Sequence, residues 1–69
     1  MEYDDEADVL YIALGSPQPA IAREDPDIEG LHMLYSVQSG QLCGVTVIWY
    51  SRQDKSKLLE RIPFSVKLP

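Results

Sequence analysis

Sixty-nine residues, 45% of them hydrophobic, make one small globular domain and exclude both a disordered chain and a second domain. The single Cys43 excludes an intrachain disulfide, and His32, the sole histidine, leaves no Cys/His set for zinc. A net charge of −5 disfavours direct binding to a phosphate backbone.

The charge is unevenly distributed. Nine acids and one base, Arg23, fall in residues 1–30, for −8; residues 31–50 carry no formal charge. Residues 51–69 carry Arg52, Lys55, Lys57, Arg61 and Lys67 against Asp54 and Glu60, for +3. Charge runs mark solvated or mutually paired surfaces first, and complementary surfaces for a partner second. The N-terminus is acidic and lacks the cationic-then-apolar pattern of a secretion signal. The longest apolar stretch, residues 45–50, is broken by Thr46 and falls far short of the ~20 residues of a spanning helix. A free thiol and no targeting segment lead us to expect residence in the cytoplasm and no membrane contact.

Residues 2–3 read as the stub of a strand and residues 4–7 as a turn, because Asp side chains bond nearby backbone amides. Residues 8–14 read as a strand that is apolar on both faces, which predicts a central or doubly covered position. Gly15, Pro17 and Pro19 break the chain, and residues 20–24 suit a short edge strand. Residues 31–37 alternate as a strand, with Leu31, Met33, Tyr35 and Val37 on one face. A hairpin turn follows, with Gly40 free to take positive φ, and then the longest strand, residues 42–50, where Gly44 marks a candidate bulge.

Ser51 opens a helix in this reading, with Asp54 three residues on as an imperfect capping box. Leu58, Leu59 and Ile62 form its apolar stripe, and Pro63 ends it. Phe64, Val66 and Leu68 then alternate with polar residues as an extended tail in need of a sheet edge. The predicted architecture is α+β: one domain over residues 1–69, an antiparallel meander of about four strands, one C-terminal helix on a face and a short extended tail.

Tyr3, Asp4, Ala7, Asp8, Leu10, Tyr11 and Ile12, followed by Gly40, Leu42, Gly44, Val45, Ile48 and Ser51, form two motifs. Over residues 1–51 they resemble a family of small bacterial domains of unknown function. The resemblance implies a small α+β domain. Genes of that family often neighbour those of small toxin-like proteins, which implies an antitoxin or partner-binding role. The chain departs from the family at residues 36–39 and at Thr46, where the family often carries acids, and any role of those acids is absent here. Residues 52–69 lie outside the resemblance.

No residue pattern announces catalysis. Asp4, Asp5, Glu6 and Asp8 are four carboxylates in five positions, but no calcium-loop spacing follows, and turn capping accounts for Asp4 and Asp8. His32 lacks an evident nucleophile unless pairing of the two strands brings it to Cys43. Phosphate loops and nucleophile elbows are missing, so we name no catalytic residue, metal ligand or cofactor. A domain of this size buries only about 60% of its unfolded surface, so extra burial is expected from a second copy or another protein. Tyr35, Trp49, Tyr50, Phe64, Val66 and Leu68 are the candidate interface residues. Two roles follow: a protein-interaction module, antitoxin-like, for a small basic partner; or a homo-oligomer, a dimer, with a structural or small-ligand role.

Overall fold

The longest strand of the sequence becomes the middle of a sheet. The computed structural model describes all residues, Met1–Pro69. Five strands form: β1 (Glu2–Asp4), β2 (Val9–Ala13), β3 (Ala20–Glu24), β4 (Leu31–Ser36) and β5 (Leu42–Ile48). A 3₁₀ turn, Tyr50–Arg52, and helix α1, Lys55–Arg61, complete the chain. The class is α+β and every strand pairing is antiparallel, as the sequence predicts.

The sheet order is β1-β2-β5-β4-β3, which corrects the expected four-stranded meander. Residues 2–4 are a full pairing strand, not a stub. The segment at 14–19, with its two prolines, cannot make a tight hairpin, so β2 does not pair with β3. The chain instead passes the ends of β5 and β4, and β3 lands on the far edge. Three strand spacings of ~4.8 Å lie within the reach of this linker at ~3.4 Å per residue.

One face of the sheet holds the core. Leu10 and Ile12 of β2 sit opposite Val47 and Val45 of β5, which in turn sit opposite Leu31 and Met33 of β4. With Tyr50, Leu58 and Ile62, the buried members of this set form a single cluster. β2 is therefore covered on one face only: Tyr11, on the other, is 46% exposed.

β5 ends two residues earlier than predicted, because Trp49 adopts a left-handed backbone (φ 57°, ψ 42°) and throws Tyr50 into the 3₁₀ turn and the core. The bulge lies where Gly44 points to it. Leu34 pairs with Gly44 and Tyr35 with Leu42, which leaves Cys43 as the extra residue of β5. Gly44 also admits a close approach: a Cβ there would lie 2.8 Å from the Ile12 carbonyl oxygen.

The α-helix is capped by Asp54, not Ser51. The Asp54 carboxylate accepts the N–H groups of Ser56 (2.9 Å) and Lys57 (3.4 Å). Leu58 is fully buried and Ile62 nearly so, while Leu59, placed in the stripe by spacing, is 46% exposed. A helix of seven residues presents too narrow a face to bury all three. The tail keeps its alternation without becoming a strand. Phe64, Val66 and Leu68 are half-buried against the core and take no part in a ladder, so the tail needs no sheet edge.

Candidate functional site

The N-terminal motif and the last residue of the second motif meet at one carboxylate. Asp8, in the left-handed region (φ 56°), accepts the Tyr3 hydroxyl at 2.6 Å, the Ser51 N–H at 2.9 Å and the Ser51 hydroxyl at 2.7 Å. Those hydrogen bonds, that of Tyr3 foremost, hold the Asp8 carboxyl below its ordinary range. The same bond pushes the Tyr3 phenol up to about 12. Asp4 fixes the adjoining turn through the N–H groups of Glu6 and Ala7. Asp4 thus caps the turn as its spacing predicts, whereas Asp8, expected to fix the same turn, spends its carboxylate on Tyr3 and Ser51 instead. The other motif residues build the same frame: Leu10 and Ile12 in the core, Gly40 at φ 72° in the β4–β5 turn, Gly44 beneath Ile12. No three His, Cys, Asp or Glu side chains converge as a metal site would require.

The hairpin does not bring His32 to Cys43. His32 pairs with Thr46, three positions further along β5. Its Nδ1 lies 3.2 Å from the Gly30 carbonyl oxygen. His32 belongs instead to a row across the uncovered face: Glu2, Tyr11, Thr46, His32 and Glu24 occupy matching positions on the five strands. Beside it run Ala13, Gly44, Leu34 and Ala22, a row of small and apolar residues.

The interface candidates divide. Tyr50 is 5% exposed, lies edge-on to Tyr3 and donates its hydroxyl to the Pro69 carbonyl oxygen at 2.5 Å. Phe64, Val66 and Leu68 are spent on this chain's own core. Their apolar alternation records intramolecular burial, which spacing alone does not distinguish from an interface. Tyr35 is half-buried beneath the Arg23 guanidinium. Trp49 alone of the set stands well out, 43% exposed.

The register collects charge at the end of the sheet where Trp49 stands. The loops there, with the residues flanking them, carry Asp4, Asp5, Glu6, Asp8, Glu24, Asp25, Asp27, Glu29 and Asp54, nine of the chain's 11 acids. The loops at the opposite end, residues 14–19 and 37–41, carry no charge. Part of the acidity is neutralised internally. Arg61 pairs with Asp25 at 2.9 Å and Asp27 at 3.0 Å, and the Asp25 side chain is only 7% exposed. Burial raises the Asp25 carboxyl, but the N–H groups of Asp27 and Ile28, with Arg61, outweigh it and leave it below its usual value. Glu2, Asp4, Asp5, Glu6 and Glu29 have no ion-pair partner.

Sequence reasoning missed the residues that shape this end. Gln53 donates to the carbonyl oxygens of Glu29 (2.8 Å) and Ile48 (3.0 Å), and Glu24 accepts the Gly30 N–H at 3.0 Å. Gly30 (φ +92°) admits the contact, since a Cβ there would lie 2.7 Å from the Ile48 oxygen. The Gly of a loop between two strands was the one available signal. The result is an open concavity lined by Trp49, Asp27, Glu29, Arg52, Asp54 and Lys57, among others.

Fold and frame define a small α+β domain whose first turn is clasped to the end of β5 by Asp8 and Ser51. The chain belongs to the family described as "Protein of unknown function (DUF2283)", whose model matches residues 1–51. The match ends at Ser51, the clasp's distal residue, and leaves out α1 and the tail. No curated protein and no solved structure matches the chain. None of its helices is long and apolar enough to cross a membrane.

Proposed function

We propose that this chain is a protein-interaction module whose acidic end takes a small basic protein. One observation carries the reading: Trp49 projects from the end of the sheet that holds nine of the 11 acids, in excess over Arg52, Lys55, Lys57 and Arg61 there, while the loops of the opposite end carry no charge. A bulky residue in the left-handed region is a backbone outlier, and such positions cluster at functional surfaces. An exposed Trp is the residue type that most often anchors a protein interface, and its ring face attracts Lys and Arg. Carboxylates without internal partners raise the encounter rate with a cationic surface and discriminate against anionic ones.

The finer form of the proposal is an antitoxin-like role, in which the acidic end covers the working surface of a small basic toxin-like protein in the cytoplasm. The gene neighbourhood implied by the family resemblance supports that form. Tagged protein purified from its native host and weighed by light scattering and mass spectrometry tests it. A stoichiometric small basic protein supports the proposal; the chain alone, in any oligomeric state, removes it.

A further inference from the structure

The sheet has two edges, and they are not alike. β1 is short and acidic, with Glu2 and Asp4 in the strand and Asp5 and Glu6 directly after it. Two copies pairing antiparallel through β1 about Tyr3 would set Glu2 opposite the partner's Asp4. Like charges directly opposite disfavour pairing, so this edge is blunted.

β3 carries no such protection. All five residues of Ala20–Glu24 are exposed, and the first three, Ala20, Ile21 and Ala22, bear no charge. Ile21 is 59% exposed, as is nearby Val37. The Asp25 N–H donates to the Leu31 carbonyl (2.8 Å) and the Val37 N–H to the Pro19 carbonyl (3.1 Å). The odd-numbered positions of this stretch therefore bond to β4. By the alternation of an antiparallel ladder, the N–H and C=O groups of Ala20, Ala22 and Glu24 face outward.

We infer that β3 is a self-association edge: two copies of the chain join β3 to β3 antiparallel, about a two-fold axis at Ala22, into one continuous sheet. In that register Ala22 exchanges hydrogen bonds with the partner's Ala22, and Ala20 with the partner's Glu24. Every outward backbone group of the strand then has a mate. The side chains agree with the backbone. Ala22 meets the partner's Ala22 on the uncovered face, where the two methyl groups face each other at the axis without crowding. On the helix side Ile21 lies against the aliphatic stem of the partner's Arg23. That pair closes over a concavity of about 430 Å³ lined by Ile21, Arg23, Tyr35 and Val37, which α1 does not reach. No like charges oppose, and the strand itself is neutral, with Arg23 against Glu24. Because only one edge is open, the assembly closes as a dimer and does not grow into a fibre. The inference is independent of the basic-partner reading, since it uses the far edge of the sheet.

Light scattering across a concentration series of the full chain tests it. The wild type gives twice the chain mass of 7.8 kDa. Ala22→Pro removes an outward donor from each copy and leaves the β4 ladder intact, so it weakens the dimer about tenfold. Ala22→Glu and Ala22→Lys each weaken self-association by setting like charges at the axis, and mixing the two restores a dimer. Circular dichroism confirms that each variant is folded. A wild-type monomer up to millimolar concentration overturns the inference. So does a dimer that neither Ala22→Pro nor the charged pair affects, which would place the contact elsewhere.

Discussion

Asp8 and Ser51, 43 residues apart in sequence, are joined by two hydrogen bonds, Ser51 N–H to Oδ1 at 2.9 Å and Ser51 hydroxyl to Oδ2 at 2.7 Å. The contact clasps the β1–β2 turn to the end of β5, just where the chain leaves the sheet for the helix. It gives the polar motif residues a structural duty. Asp8→Ala loses both bonds, the Tyr3 bond and a residue type that tolerates positive φ. Its melting temperature falls further than that of Ser51→Ala, which keeps the N–H bond. Thermal unfolding by circular dichroism measures the order; equal losses would remove Asp8 from the centre of the clasp.

The clasp also sets the response to acid. Asp8 and Asp25 both have folded-state values below the ordinary 3.8. A depressed carboxyl contributes stability that is fully present above the unfolded value and is lost as pH falls through the folded one. Stability therefore drops with acidification below about pH 4. Asp8→Asn flattens that drop, and so does loss of the Arg61 partner. Urea midpoints at pH 3 and pH 6 give the comparison; an unchanged acid limb in Asp8→Asn would contradict it.

Tyr3 supplies the alkaline counterpart. Its folded value is raised to about 12, so its contribution is present below the usual 10 and is lost as pH rises through 12. Absorbance at the tyrosinate band resolves one phenol near 12 in the wild type. Tyr3→Phe removes that step. Asp8→Ala moves it back towards the ordinary value.

Glycine positions separate crowding from backbone conformation. Gly44→Ala drives a Cβ to 2.8 Å from the Ile12 oxygen and 3.2 Å from Leu34, so β2 or β5 must move, at a cost of roughly 1–3 kcal/mol. Gly30→Ala adds a left-handed φ to a 2.7 Å approach and costs more. Gly40→Ala, with open space around it, bears only the conformational cost, about 1 kcal/mol. Denaturant titration that ranked Gly40→Ala as the worst of the three would refute the packing account.

The helix lies outside the family match, yet the core depends on it. Leu58→Ala empties a fully buried site and costs roughly 2–5 kcal/mol, enough to unfold much of so small a domain. Leu59→Ala, at a residue 46% exposed, stays within about 0.5 kcal/mol. Removing residues 63–69 strips Phe64, Val66 and Leu68 from the core and lowers stability, so a tail deletion does not isolate a binding function.

Strand identity was legible because it rests on local pattern: period-two alternation at Leu31–Ser36 and Leu42–Ile48, turn residues at Gln38–Gly40. Strand order was not, because pairing of β2 with β5 is decided by which apolar faces meet across the whole of residues 14–41. Trp49 shows the limit most plainly. Its alternation reads as strand, but the clasp at Asp8 and Ser51 and the bond from Tyr50 N–H to the Asp8 carbonyl turn the backbone there. Candidate interface residues were half legible, since apolar alternation marks burial without saying against which chain. The linear charge tally showed an acidic first half but not an acidic end, because residues 4–8 and 24–29 come to the same end of the sheet only through the strand order.

The central claim is that the acidic end around Trp49 engages a basic protein. Its most direct test is calorimetric titration of the partner recovered from the native host against wild type and an Asp5→Lys/Glu6→Lys variant, at low and high salt. Both substitutions lie in an exposed turn and leave the clasp untouched. The account predicts wild-type binding that weakens with salt, binding reduced at least about tenfold in the variant, and a further loss in Trp49→Ala. Equal affinity for wild type and both variants, unchanged by salt, would contradict it.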